Sequence, residues 1–138
     1  MTRQCYVVRV RYFPCFEEPT LVLAGAGAGL VCLSAWFDEL ASGGYRKLLL
    51  GREPWIHVSW DTSVAVAVED LPRGPIAVAR DNWKLLWGIT PAQAGLFAAE
   101  VGKLLERARP GHVKLDNGLR APLQVVVSLD EHGRWKFR

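Results

Sequence analysis

The stretch that decides the fold is TPAQAGLFAAEVGKLLE, residues 90–106. It begins with a threonine that can cap a helix, a proline at the first helical position and Gln93 three residues after the cap, which is the pattern of a capping box. Apolar side chains then recur every three or four residues on one face. They are Ala94, Phe97, Ala98, Val101, Leu104 and Leu105. We therefore predict an amphipathic helix over residues 91–108, ended by Arg109-Pro110-Gly111.

A second stretch, toward the N-terminus, has the same helical period. Its apolar side chains are Leu30, Leu33, Phe37, Leu40 and Ala41, and Gly43-Gly44 follows as a stop signal. The pattern predicts a helix over residues 28–42. Shifting residues 20–42 by 64 positions lays them on residues 84–106, with strand, tight turn and helix in the same order. The match is one of pattern and not of identity, and it is compatible with a weak internal duplication, but any two strand-helix units share such a period by physical necessity.

The rest of the chain alternates between short apolar runs and turn residues, which predicts strands. The candidate strands, from which six to eight should form the sheet, are residues 5–13, 20–24, 47–50, 55–60, 63–69, 75–80, 83–88, 112–115, 123–129 and 134–138. Residues 63–69 are apolar on both faces, so that strand should be central. We predict one α+β domain over residues 1–138, with a mainly antiparallel sheet of six to eight strands. Antiparallel hairpins in a meander should form the sheet, and both helices should pack on one of its faces.

Composition and charge exclude several classes of protein. With 138 residues, 17 Lys plus Arg and 14 Asp plus Glu, the net charge of +3 is too small to indicate a nucleic-acid or membrane partner by itself. No apolar run is long enough for a membrane span and no signal peptide is recognisable, so we expect a cytoplasmic protein. Cys5, Cys15 and Cys32 have neither CxxC spacing nor a nearby histidine, which argues against disulfides and zinc.

Motifs for catalysis or cofactor binding are weak. Gly25-Ala-Gly27-Ala-Gly29 follows a strand and opens a helix, as a dinucleotide-binding loop does, but the third glycine comes one residue early. We interpret these small residues as allowing the helix to pack close to the sheet. The histidines are isolated and no GxSxG motif is present. We therefore expect no metal and no cofactor, and a small enzyme built on His57 and Asp61 is only a lesser hypothesis.

Tryptophans provide the main indication of a binding surface. Six are present, several of them on neighbouring predicted strands. If the helices cover one face of the sheet, some of these rings should face outward and form a site for a protein partner, because tryptophan is enriched at binding hot spots. The predicted partner-binding residues are Trp55, His57, Asp61, Trp83 and Trp87.

Basic and aromatic residues offer an alternative function, the binding of single-stranded nucleic acid. The candidate residues are Arg9, Arg11, Arg134, Lys136 and Arg138. The competing interpretation is that Trp135 and Phe137 turn into the core while the charges protect an exposed sheet edge from aggregation.

Residues 20–42 also carry a resemblance to a known family. The segment Leu21-Val-Leu-Ala-Gly25, then Gly29-Leu30-Val-Cys-Leu33 and Phe37-Asp-Glu-Leu40-Ala41-Ser42, resembles the strand, Gly-x-x-x-Gly-Leu-x-x-Leu turn and helix of small bacterial polymorphic-toxin immunity proteins. The resemblance implies a non-catalytic cytoplasmic protein that binds one cognate toxin and blocks its activity. Inhibitors of basic nucleases are usually acidic, so the positive charge of this chain makes such a nuclease an unexpected target.

Overall fold

The computed structural model describes residues 7–14, 18–44, 46–79, 83–115, 123–131 and 134–135. In these residues the chain forms nine β-strands, two α-helices and one short 3-10 helix. The strands are β1 (Val8–Phe13), β2 (Thr20–Gly25), β3 (Arg46–Leu49), β4 (Ile56–Val58), β5 (Thr62–Val68), β6 (Arg73–Ala79), β7 (Trp83–Ile89), β8 (Gly111–Leu115) and β9 (Gln124–Leu129); the helices are α1 (Gly27–Ser42), α2 (Pro91–Glu106) and the 3-10 helix (Leu50–Arg52). The predicted α+β class is confirmed.

The capping box at the start of α2 is confirmed. The Thr90 hydroxyl oxygen accepts a hydrogen bond from the Gln93 backbone N–H at 3.1 Å, and the Gln93 side-chain oxygen accepts one from the Thr90 N–H at 3.2 Å. The two backbone N–H groups, which have no partner within the helix, are thus hydrogen-bonded. The helix ends two residues earlier than predicted, just before Ala108, which has a positive φ of 53°. Helix α1 has no side-chain cap at Ala26.

The strands divide into two sheets, each with parallel and antiparallel pairs. The five-stranded sheet has the order β4-β1-β2-β9-β8 and the four-stranded sheet the order β3-β5-β7-β6. The pairs β1/β4, β2/β9 and β5/β7 are parallel. The predicted meander is wrong at β5 and β6, because β7 lies between them. The valine-rich β5 is internal, as its two apolar faces indicated.

The two halves of the chain have the same layout. The order β1-β2-α1-β3-β5 corresponds to β6-β7-α2-β8-β9, except that the 3-10 helix and β4, between β3 and β5, have no counterpart in the described residues of the second half. Both helices are 16 residues long with a 64-residue offset. The pairing corresponds too, since β2 is parallel to β9 as β7 is to β5. The Ser34 hydroxyl donates to the carbonyl oxygen of Ala98, the equivalent position 64 residues on, at 3.1 Å. Each half therefore contributes strands to both sheets, while duplication as the origin of this layout stays a prediction.

One core fills the space between the helices and the inner faces of both sheets. At its centre the ring of Phe37 on α1 lies 5.5 Å from that of Phe97 on α2 and 6.3 Å from that of Trp87 on β7. Trp87 is 0% exposed, so its predicted role in partner binding is wrong. The alternation of β7 places Trp87 on the same face as the buried Leu85 and Ile89, toward the helices.

The glycine-rich segment packs α1 against β1. A Cβ atom added to Gly29 would lie 2.8 Å from the backbone oxygen of Val7, and one added to Gly25 would lie 3.0 Å from the same atom. The approach of helix and strand therefore requires glycine at these positions. The close-packing interpretation of this segment is confirmed.

Several predictions concern the ends and exposed parts of the chain. Arg134 and Trp135 form a turn rather than the predicted final strand, and Lys136 to Arg138 lie outside the described residues. Cys32 is a free, half-buried thiol, whereas Cys5 and Cys15 also lie outside the described residues. None of the helices in the described ranges has the length and apolar character needed to cross a membrane.

Candidate binding surface on the five-stranded sheet

The outer face of the five-stranded sheet, opposite the core, collects most of the polar candidate residues. Strand register arranges its side chains in three rows that run across the sheet. The first row is His57, Arg9, Ala24, Ser128 and His112; the second is Arg11, Val22, Val126 and Lys114; the third is Phe13, Thr20 and Gln124. Residues from both ends of the chain thus meet on one face.

Trp135 crosses this outer face. Its indole N–H donates to the Ser128 hydroxyl oxygen at 3.0 Å, and its ring centroid lies 5.8 Å from that of Phe13. Val22 and Val126, between these two contacts, are buried although they point away from the core. Trp135 therefore covers the outer face instead of entering the core, which corrects that interpretation. It separates two regions, which we call the corner, on the β4 side, and the cleft, on the β8 side.

An ion pair joins the two sheets at the corner. The Arg11 guanidinium donates to the Asp61 carboxylate at 3.3 Å, and the two side chains are only 13% and 14% exposed. The Thr62 hydroxyl donates to the other Asp61 oxygen and accepts the Tyr12 backbone N–H, both at 3.2 Å. These bonds connect the end of β1 to the start of β5. The charge of Asp61 thus has a structural role at this junction.

The turn between β4 and β5 presents Trp60 at the corner. The side chain is 69% exposed, while the backbone on both sides of it is held in place. Ser59 N–H donates to the Val10 carbonyl and Thr62 N–H donates to the Ser59 carbonyl, both at 2.9 Å. An exposed indole on a fixed turn can bind a partner with little loss of conformational entropy. Trp60 was not among the predicted partner-binding residues, although it is the last residue of the predicted strand 55–60.

The structure brings together three of the five predicted partner-binding residues. The Asp61 backbone carbonyl accepts the Trp83 backbone N–H at 2.8 Å, and the half-buried Trp83 ring packs edge-on against Tyr12 at 5.0 Å. His57 is exposed on β4, opposite Arg9. Trp55 lies at the other end of β4, where it is half-buried and its carbonyl accepts the Val8 N–H. With Trp87 in the core and the Trp83 ring packed against the core at Tyr12, the corner retains the side chains of His57 and Asp61.

The cleft lies over β9 and β8 and has a volume of about 710 Å³, within the usual range for small-molecule sites. Val113, Val126 and Trp135 supply its apolar surface. Its polar lining consists of Glu18, Thr20, His112, Lys114, Gln124 and Arg134. Carboxylate, amide and cationic groups therefore surround one concave space.

Glu131 organises the wall of the cleft. Its carboxylate accepts the Ser128 hydroxyl at 2.6 Å and contacts His112 Nδ1 at 3.1 Å, and Arg134 lies 3.9 Å away. Burial alone would raise the pKa of Glu131. The hydrogen bonds from Ser128 and His112, with the positive charges of His112 and Arg134, outweigh burial and hold this pKa below its usual value. The sequence analysis had treated His112 as isolated.

Three residues of the predicted nucleic-acid set, Arg9, Arg11 and Arg134, share the outer face. The Arg11 guanidinium lies 5.0 Å from the Phe13 ring centroid, and that of Arg134 lies 5.2 Å from the Trp135 ring centroid. Lys136 and Arg138 lie outside the described residues. No group of three or more His, Cys, Asp or Glu side chains suited to a metal ion occurs among the described residues.

Comparison of the chain with protein-family models, with curated proteins and with solved structures finds no match.

Proposed function

We propose that this protein is a non-catalytic protein-binding module of the immunity or inhibitor type, which neutralises a cognate toxin by direct binding at the corner. The observation that carries the proposal is the exposed Trp60 on a turn that backbone hydrogen bonds hold on both sides. Tryptophan and arginine are enriched among the residues that dominate binding free energies. Arg9 and Arg11 flank this turn on β1.

The charges of the corner support a protein as the partner. Asp61 is paired with Arg11, and Arg9 and His57 are exposed beside them. This mixture of charges around an exposed indole matches the mixed composition of protein-protein interfaces. The resemblance of residues 20–42 to immunity proteins supports the toxin as the kind of partner.

The test is to express the tagged chain together with its neighbouring genes and to measure the affinity of the retained protein by calorimetry. We expect nanomolar binding and protection of the host cell from that protein. Trp60→Ala should weaken binding by about 30-fold, the loss typical of a hot spot. The matched control is Leu96→Ala, which removes a side chain of similar exposure (64%) from α2 and should leave affinity unchanged. Equal losses in both variants, or no partner at nanomolar affinity, would contradict the proposal.

A second candidate function is the binding of single-stranded nucleic acid on the same outer face. The meeting of Arg9, Arg11 and Arg134 with Phe13 and Trp135 favours it. It ranks second because the charge of Arg11 is compensated by Asp61 and that of Arg134 in part by Glu131. Fewer positive charges then remain for phosphates.

A labelled single-stranded oligonucleotide, titrated over a salt series, tests this candidate. Binding should weaken steeply as salt rises, because phosphate contacts release counterions. Arg9→Glu should weaken binding more than Arg109→Glu, which makes the same charge change at an exposed position after α2. A response independent of salt would remove nucleic acid from consideration.

A further inference from the structure

The cleft has chemically different ends. Glu18 and Gln124 lie where β9 begins, since the Gln124 N–H donates to the carbonyl of Pro19. His112 and Arg134 lie near Ser128, at the other end of β9, through their contacts with Glu131. Gln124 and Ser128 are four positions apart along the strand, which is about 13 Å of backbone.

The Glu18 end requires hydrogen-bond donors from a ligand. The Gln124 side-chain N–H donates to the Thr20 hydroxyl oxygen at 2.9 Å, and the Thr20 hydroxyl donates to the Glu18 carbonyl oxygen at 2.7 Å. This chain of donors fixes the orientation of the Gln124 amide. Its oxygen is buried without a partner among the described residues, so a ligand in the open cleft does not contact it. The Glu18 carboxylate is exposed nearby and has no ion-pair partner in the described part of the chain.

The other end requires acceptors. Lys114 lies on β8 opposite Val126, about midway along the cleft, and has no ion-pair partner among the described residues. The Arg134 guanidinium is 53% exposed at the Ser128 end. His112 and Arg134 share the charge of Glu131, so the Lys114 ammonium is the cation that a ligand carboxylate can pair with most fully.

We propose that the cleft binds a short zwitterionic peptide of two or three residues. Its terminal ammonium would donate to the Glu18 carboxylate, and its terminal carboxylate would accept from Lys114 and Arg134. An extended chain spans at most about 3.6 Å per residue, so three residues, with the reach of the side chains that bind them, fit the 13 Å. Val113, Val126 and Trp135 offer apolar contact to the ligand's side chains.

The separation of donors and acceptors distinguishes this ligand from others. A saccharide carries hydroxyl groups that both donate and accept along its whole length. The separation of the Glu18 carboxylate from the Lys114 ammonium in the cleft therefore gives a saccharide no advantage. A phosphate or a lone carboxylate would leave the Glu18 carboxylate without a donor and would be repelled by its charge. A peptide with both termini free satisfies both ends at once.

The experiment titrates the full chain with unblocked tripeptides Ala-X-Ala, where X is alanine, leucine, lysine or glutamate, and follows binding by calorimetry. We expect saturable binding of at least one of them. Acetylation of its N-terminus and amidation of its C-terminus should each weaken binding by about tenfold, the loss of one charge-assisted contact. Binding of maltose in place of the peptides, equal binding of blocked and unblocked peptides, or no saturation by any peptide would overturn the proposal.

Variants assign each terminus to its partner. Glu18→Gln should weaken binding of the unblocked peptide by about tenfold but leave binding of the acetylated peptide unchanged. Lys114→Gln should likewise weaken binding of the unblocked peptide and leave binding of the amidated peptide unchanged. Lys84→Gln, which removes an exposed charge from the other sheet, is the control and should have no effect. Blocking a terminus and substituting its partner residue remove the same contact, so their effects on the binding free energy should not add. If the two effects do add, that terminus is assigned to the wrong residue. Circular dichroism of each variant shows that the fold is intact.

Discussion

Gly29 is the residue at which the packing of α1 on β1 is most tightly constrained. A Cβ at this position would meet the backbone oxygen of Val7 at 2.8 Å, and a backbone atom cannot move aside as a flexible side chain can. We expect Gly29→Ala to lower the free energy of unfolding by about 1–3 kcal/mol, the usual cost of overpacking. Urea denaturation measures the change.

The matched control is Gly102→Ala in α2, where an added Cβ would meet nothing within 4 Å. Alanine is a better helix former than glycine, so this variant should gain about 0.5–1 kcal/mol. If both variants changed stability in the same direction, the close contact at Gly29 would not be the cause.

Glu131 makes the stability of the cleft wall depend on pH. Because its pKa is lowered in the folded state, its contribution is fully present above the unfolded pKa of about 4.3 and is lost as the pH falls through the folded value. We expect Glu131→Gln to cost about 1–2 kcal/mol at pH 7, with the difference from the parent chain shrinking below pH of about 4.

Urea denaturation at pH 7 and at acidic pH, with Glu100→Gln as the control, checks this dependence. Glu100 is exposed on α2 and only pairs with Lys103 at 3.6 Å, a contact worth little. A difference for Glu131→Gln that persisted unchanged into acid would show that its carboxylate charge is not what stabilises the wall.

Some side chains could be assigned from the sequence and others could not. Thr90 and Gln93 are three residues apart, so their contact follows from local spacing. His112 and Glu131 are 19 residues apart and meet only because β8 pairs with β9. Alternation shows that Leu85 and Trp87 share a face of β7, but it does not show which face the helices cover.

The two helices differ at their first residues. Thr90 caps α2 through a reciprocal box, whereas Ala26 leaves α1 uncapped in an extended conformation suited to a cap. Thr90→Ala should lower the free energy of unfolding by about 1 kcal/mol, and Ala26→Ser should raise it by a few tenths to 1 kcal/mol. Thermal denaturation of the two variants gives both signs, and a destabilised Ala26→Ser would contradict the inference about α1.

Helices and strands were predictable to different degrees. The period of a helix is local, so the observed α1 and α2 agree with the predicted ranges to within two residues. Strand segments were also recognisable, but their partners were not, because β2 pairs with β9 at a separation of 104 residues. Four of the seven strand pairs are antiparallel, and three of these four, β1/β2, β6/β7 and β8/β9, join consecutive strands as hairpins. The three parallel pairs were not predicted.

The molecule as a whole repeats its connections. Residues 69–72 link β5 to β6 across the end of β7, where Ile89 pairs with Val68 and Gly88 with Arg73. The other sheet has the equivalent arrangement, since Gly25 pairs with both Leu129 of β9 and Val8 of β1. Leu129 and Val8 are thus about two strand spacings apart, roughly 10 Å. A linker that connects the end of β9 to the start of β1 would therefore correspond to residues 69–72, which connect β5 to β6.

We therefore expect a circular permutant opened between Asp70 and Leu71, with Arg138 joined to Met1 by a short Gly-Ser linker, to fold. Both residues at the opening are exposed, and loops of that kind tolerate a break. Its far-ultraviolet circular dichroism and cooperative melting should match those of the parent chain. A permutant opened between Leu86 and Trp87, within the central strand β7, should not fold. If the first permutant were unfolded while the second folded, the repeated layout would not describe how the chain is held together.

The sharing of strands between halves also affects synthesis. On the ribosome, β2 forms its hairpin with β1 early, yet its other edge stays open until β9 has left the exit tunnel, about a hundred residues later. During that interval an apolar strand edge is available to other nascent chains, the condition under which aggregation competes with folding. Cellular yield of this protein should therefore depend on chaperones that shield extended segments, more than its modest length suggests.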